Sequence, residues 1–333
     1  MTAGLLPQST RPLQLTLWRT AQWIGVALTV ALLAGLVWSP ELTLRLLWNA
    51  AIPVLPATFL VTPQLWRNVC PLATLTMLPS DRPSSRKITE GTVRTATVIG
   101  LVLLVVLVPA RRAVFNTDGP FLATTIGAVA VLALVAGMAY HRKAGFCNAI
   151  CPVLPVERLY GQRPLLKVQN VRCLPCIQCT DRGCLDRSHL DSLRTVLGPR
   201  RNTIDWMFTP FGIFAASFPG FIVAYFLAHD GAPAVTTYMQ VLQGMVISFV
   251  AVVLLARTFR ATASTGITLL GALSAGCYYW FVAPGVTNAF GLGPAVMWCI
   301  RIASLALVTF WLARATRGNG AAPVVERVLP IAR

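Results

Sequence analysis

The stretch TLRLLWNAAIPVLPATFLV, residues 43–61, decides how the rest of the chain is threaded. It is about long enough to cross a bilayer, which takes roughly twenty apolar residues. Yet it holds Arg45, Asn49 and two prolines, an awkward set for a helix in lipid. Counting it as a crossing gives eight, at approximately 19–38, 43–62, 93–110, 120–140, 208–228, 236–256, 264–285 and 292–313. With the amino terminus inside, the inner segments are 1–18, 63–92, 141–207, 257–263 and 314–333. These hold 24 of the 28 Lys and Arg, counting Arg19 and Arg94 at inner helix ends. The outer connections carry only Arg111 and Arg112, while Arg45 and Arg301 fall within spans. Removing the 43–62 crossing would move the eleven basic residues of 141–207 to the outer face. Positive-inside bias therefore supports the crossing.

Composition agrees with this threading. Of 333 residues, 56% are hydrophobic and only 12% charged, about half the charged share of a soluble domain. The formal charge of +17 lies mostly between the apolar runs. It is read as topology and contact with anionic lipid, and no nucleic-acid partner is expected. The first twenty residues lack a charged, cleavable signal pattern, so the first apolar run is expected to stay as a span.

The fold class expected is an all-α polytopic membrane protein of about eight helices with a cytoplasmic, cysteine-rich loop. Residues 1–140 form a first group of four spans, with a Cys-Pro loop at 66–76. Residues 141–207 form the inner cysteine-rich segment, 208–313 a second group of four spans, and 314–333 a tail expected to be poorly ordered. The implied location is a bacterial inner membrane with both termini cytoplasmic.

Seven of the nine cysteines fall on the inner, reducing side: Cys70, Cys147, Cys151, Cys173, Cys176, Cys179 and Cys184. A disulfide framework is a poor explanation there, and a soft metal centre a good one. Cys277 and Cys299 lie within spans and read as small buried apolar residues. In VRCLPCIQCTDRGCLD, residues 171–186, the first three cysteines are spaced C-x2-C-x2-C. Thiolates so close can each take one iron of a [4Fe–4S] cubane, as in the bacterial ferredoxin run C-x2-C-x2-C-x3-C-P. Here the fourth follows after four residues, and Leu185 replaces the proline. Zinc is the chemical competitor for four thiolates.

Two further segments carry Cys-Pro after an even-numbered crossing: CNAICP at 147–152 and WRNVCP at 66–71. If these helix ends meet, three more thiols converge near the four of the loop. Seven thiols fall one short of two all-cysteine cubanes, so one cluster or two remains open. Cys184 either completes the triplet or leaves that place to Cys151.

At these residues the chain resembles the membrane-bound ferredoxin-type electron-transfer proteins of the NapH, NosR and CcoG types. CNAICP matches their C-x3-C-P motif fully, whereas Trp66 stands where the first cysteine of WRNVCP would fall. The run at 173–184 matches the ferredoxin part as a single copy, and the likeness covers roughly 43–186. The resemblance implies a membrane carrier passing electrons between a cytoplasmic donor or quinone pool and a partner redox protein.

The remaining residues narrow the function. Only His141, His189 and His229 exist, all at span ends or in the loop, so a bis-histidine haem within the helices is not expected. No Asp or Glu lies well inside a span, which argues against proton-coupled transport. Arg301, inside the eighth span, needs a polar partner: a helix end, a quinone carbonyl or a lipid-derived anion. Arg172, Arg182 and Arg187 beside the loop cysteines suit an acidic donor such as ferredoxin or flavodoxin. No substrate-transforming site is visible, although the chain could serve within a membrane oxidoreductase. Two alternatives share much of this pattern: a reductive maturation factor for a metalloenzyme, and a transporter with a structural zinc site.

Overall fold

In the computed structural model, eight helices are long and apolar enough to cross a membrane: Thr16–Trp38, Pro40–Val61, Glu90–Phe115, Gly119–Ala139, Pro210–Leu227, Ala234–Thr258, Ala263–Ala289 and Pro294–Thr316. The structure describes residues 12–81, 86–170, 179–180, 184–186, 188–198, 204–259, 262–317 and 324–328. Every expected crossing has its helix, with ends displaced by a few residues.

The helices are α1 (Pro12–Trp38), α2 (Pro40–Leu46), α3 (Ile52–Val61), α4 (Pro63–Val69), α5 (Pro71–Met77), α6 (Glu90–Ala110), α7 (Gly119–Ala139), α8 (Leu154–Tyr160), α9 (His189–Leu197), α10 (Pro210–Leu227), α11 (Ala234–Phe259), α12 (Ala263–Ala289) and α13 (Pro294–Thr316). Their starts are written locally. Side chains of Thr89, Asp118 and Thr209 accept from the backbone N–H three residues on, at 3.3, 2.8 and 3.0 Å.

The doubtful second span crosses by bending its hydrogen-bond ladder. Between α2 and α3, Leu47–Ala51 form a π turn, closed by Ile52 N–H donating to Leu47 O. Pro53 follows at once; it has no N–H, and its ring crowds the carbonyl four residues back. A widened turn relieves that crowding. Asn49 Nδ2 meanwhile donates to Arg45 O at 3.1 Å, and Arg45 pairs with Glu41 at the helix start. Each polar residue that made this stretch look unlike a span thus has a local use.

The two groups of four share one interior. α10 is the most enclosed span, packing on α11, α12 and α6, and it aligns Phe211, Phe214, Phe218, Phe221 and Tyr225 along one side. Successive ring centroids there lie 4.7–6.4 Å apart. α12 packs on α8 and on the π turn of the second span, and Tyr279 Oη donates to Pro53 O at 3.0 Å. α1, α11 and α13 turn most of their apolar surface outward, as lipid-facing helices do.

Two sequence expectations change. The tail contributes a strand, β2 (Val324–Val328), which pairs in parallel with β1 (Lys167–Asn170). Its Val-rich segment VVERV has the β-branched character that an open strand edge accepts. Cys277 is half-buried and Cys299 exposed, so neither is the enclosed core residue expected. Cys277 still packs against the main apolar core from α12, whereas Cys299 lies on α13, which turns most of its apolar surface outward.

Candidate functional site

Two Cys-Pro corners stand at the same end of the bundle, and their backbones are nearly superimposable in torsion. Cys70, between α4 and α5, has φ −56° and ψ 125°. Cys151, between the π turn Phe146–Ile150 and α8, has φ −58° and ψ 123°. Extended ψ is what a residue before proline is driven to adopt. It ends each preceding helix and starts a new turn whose N–H groups face back. The N–H groups of Leu72 and Ala73 thereby favour the Cys70 thiolate, and that of Val153 the Cys151 thiolate.

The approach to each corner differs. Cys70 N–H closes an α turn onto Trp66 O at 2.8 Å, whereas Cys151 N–H closes a π turn onto Phe146 O at 3.1 Å. Aligned on Cys-Pro, Trp66 corresponds to Cys147 and Arg67 to Asn148. Trp66 packs against the main apolar core. Cys147 instead joins Ala73, Ala133, Ala136 and Phe146 in a separate cluster, with Cys70 and Cys151 packed against it. Three predicted thiols are therefore gathered: Cys70, Cys147 and Cys151.

A buried guanidinium ties the corners to the loop. Arg67 Nε and Nη2 bond both oxygens of Asp186 at 3.1 and 3.3 Å, Nη1 bonds Glu157 Oε2 at 3.1 Å, and Nη2 bonds Asn148 Oδ1 at 2.8 Å. Asn148 Nδ2 in turn reaches Cys184 Sγ at 3.7 Å. Lys143 Nζ donates to Arg67 O at 3.1 Å and pairs with Asp186 at 3.5 Å. One side chain thus joins segments bearing Cys70, Cys147, Cys151 and Cys184. Arg158, also buried, bonds Ser192 Oγ at 2.9 Å and Thr97 Oγ1 at 3.0 Å. Among the described residues, Arg158 Nη2, Glu157 Oε1 and Gln64 Oε1 are buried without a hydrogen-bond partner.

Burial governs the electrostatics. It pushes the Cys70 thiol up to about 12, with the neighbouring Cys147 adding to the rise. Cys151 is raised by burial and then by Cys147 and Cys70; Cys147 is raised by burial against the pull of Arg67 and Lys143. Burial also raises Glu157, despite Arg67. For Asp186 burial pushes the same way, but Arg67 and Lys143 outweigh it and hold the carboxyl well below its usual range. Arg158 is brought down to about 9, first by burial and then by Arg67. Burial thus favours the protonated form of these thiols, which lie beside three buried basic and two buried acidic side chains.

The loop run is described only in part. Cys179 and Cys184 are half-buried; Cys179 O accepts from Ile88 N at 2.9 Å, holding that part of the loop against the segment before α6. Cys173 and Cys176, with Arg172, Arg182 and Arg187, lie outside the described residues. Among the described residues, no group of three His, Cys, Asp or Glu side chains meets closely enough to hold a single metal ion. His189 is buried, with Nε2 2.7 Å from Gln64 Nε2.

Sequence reading found the thiols and missed Arg67, Asn148, Lys143, Glu157 and Asp186. A signal existed: each lies within six residues of a predicted cysteine, and all five are polar residues beside apolar helix ends. Comparison with protein-family models, curated proteins and solved structures finds no match.

Proposed function

We propose that the chain is a membrane-anchored iron–sulfur electron carrier, working between a cytoplasmic donor or quinone pool and a partner redox protein. The observation that carries this reading is the gathering of Cys70, Cys147 and Cys151 at two matched Cys-Pro corners, with Cys184 tied alongside. The donor set suits such a group. The sulfurs are thiols on the end expected to be reducing, and backbone N–H groups already face two of them. The surrounding buried charge has a basic surplus, which would offset a thiolate-ligated cluster. A single tetrahedral zinc needs its sulfurs about 3.8 Å apart. A cubane spreads them, one per iron, which suits thiols near one another but not converging on one point.

The thiol neighbours of Cys151 are Cys147 and Cys70. This favours a set of Cys173, Cys176, Cys179 and Cys184 in the loop and a second, three-thiol set at the corners. A bound [4Fe–4S] group would supply one-electron exchange. The thiols of Cys70, Cys147 and Cys151 would give up their protons to hold it, beside Ala73, Ala133 and Phe146, while Arg67 ties the loop to the corners. The resemblance to membrane ferredoxin-type proteins supports the same reading. The charge distribution supports a bacterial inner membrane with this end cytoplasmic.

Anaerobic purification with iron and acid-labile sulfide analysis and EPR of the reduced protein tests the proposal. Near-equal iron and sulfide, at about four to eight irons per chain, is expected. Zinc without sulfide, or neither metal, overturns it.

A further inference from the structure

Arg301 poses a separate problem at the end of the bundle away from the cysteines. It sits on α13, seven residues after Pro294, hence about 10 Å along the axis from the helix start. Helical side chains lean toward the N-terminus, so its guanidinium reaches back toward the membrane surface. Trp298, one turn earlier, and Trp280 on α12 flank it, with ring centroids 5.1 and 4.3 Å from the guanidinium carbon. The two rings meet edge to face at 6.0 Å.

Part of this arrangement is structural. Pro284 lies inside α12 and has no N–H for the carbonyl four residues back, that of Trp280. Arg301 Nε supplies the missing donor, at 3.1 Å. That contact uses one of three nitrogens, and the two terminal ones form the fork that recognises phosphate.

The other arginines toward this end are matched. Arg45 pairs with Glu41, Arg112 with Asp230, and Arg111 bonds Asn116 and Tyr225. Among the described residues, Arg301 has the Trp280 carbonyl and two indoles but no acidic partner. It is half-exposed on a helix that faces outward, and Trp280 and Trp298 are exposed beside it. A guanidinium at a lipid-facing surface is costly unless an anion meets it. Tryptophan favours the headgroup level.

We propose that Arg301, Trp280 and Trp298 form a binding site for the phosphate of an anionic phospholipid in the leaflet opposite the cysteine end. The fork takes the phosphate oxygens, the indoles hold the guanidinium plane, and the carbonyl freed by Pro284 fixes its direction.

Native mass spectrometry of the detergent-purified full chain tests this with equal amounts of phosphatidylglycerol and phosphatidylcholine. Wild type should retain about fivefold more phosphatidylglycerol, as one basic contact at a membrane surface would give. Arg301→Gln should bring the ratio close to one while leaving iron content unchanged. An unaltered ratio in that variant overturns the proposal. So does displacement of the lipid by millimolar inorganic phosphate, which would mark a free-anion site, or a quinone retained in its place. Should the variant fail to fold, diazirine-bearing phosphatidylglycerol can be cross-linked to wild type. Adducts on peptides containing Trp280 or Trp298 support the site, and adducts confined to other helices overturn it.

Discussion

The two Cys-Pro corners agree in torsion to within a few degrees and differ in almost everything that precedes them. At Cys151 the chain arrives through a π turn and brings Cys147 with it. At Cys70 it arrives through an α turn, and the matching position is Trp66, turned into the main core. The next position differs as well: Asn148 at one corner, Arg67 at the other, and the two bond each other at 2.8 Å. Proline dictates the corner itself, through the restriction it places on the residue before it. What the corner can hold is set by the turn upstream. One corner has become a pair of thiols and the other a thiol with a clamp.

The harshest test of this division is Arg67→Met. It leaves Asp186 and Glu157 buried without their principal cation, a loss of about 3–5 kcal/mol by the usual cost of breaking a buried pair. The expected result is a fall in thermal stability together with lost iron, because the Cys184 segment is released. Full iron content in a folded variant would show that Arg67 is not what couples loop and corners.

Trp66→Cys asks whether the corners can be made equal. Replacing a large ring that packs on the core by a thiol costs about 3 kcal/mol, less if the site collapses. Since position 66 faces the core, iron content should not rise. Additional iron and sulfide would mean that only the residue type, and not the upstream turn, separates the two corners.

A gentler probe is pH. With its pKa pushed up to about 12, Cys70 in the metal-free chain stays protonated far above the ordinary thiol range. Its alkylation by iodoacetamide, followed on the Cys70 peptide by mass spectrometry, should still climb about tenfold per pH unit at pH 9–11. An exposed thiol levels off above about 9. The sign for stability follows: the folded state keeps a proton the unfolded state loses, so this contribution is present below the unfolded pKa and fades as pH rises through the interval. An early plateau would place Cys70 in contact with water. The smallest effect is expected for Thr76→Val, which removes a local bond from Thr76 Oγ1 to Ala73 O at 2.8 Å and a long 3.9 Å contact to Cys147 Sγ. It should shift stability by about 1 kcal/mol, most of it from the bond to Ala73, and a clearly larger change would reveal a more central role for the contact to Cys147.

The division of the site also explains what could be read from the chain beforehand. Eight crossings were legible because apolar length and the placement of Arg and Lys are statistical properties that no single contact can overrule. The thiols were legible because Cys-Pro and C-x2-C-x2-C are local spacings. The Arg67 network was legible only as polar residues near cysteines; its pairing was not, since the partners lie 81, 90 and 119 residues away. Nor were the π turns, which depend on how a proline's lost donor is absorbed nearby. Trp66 was legible as a missing cysteine but not as a core residue, because its orientation follows from the helix that carries it.

Arg163 has a consequence for the whole chain. From the segment just after α8, it donates to Ala315 O at the end of α13 and to Ser264 Oγ at the start of α12, 3.1 Å for the latter. The last two membrane helices are thus pinned by the same stretch that carries the second corner. The segment after the second corner is thereby seated on the ends of helices that belong to the other half of the chain, so the placing of that corner depends on both halves.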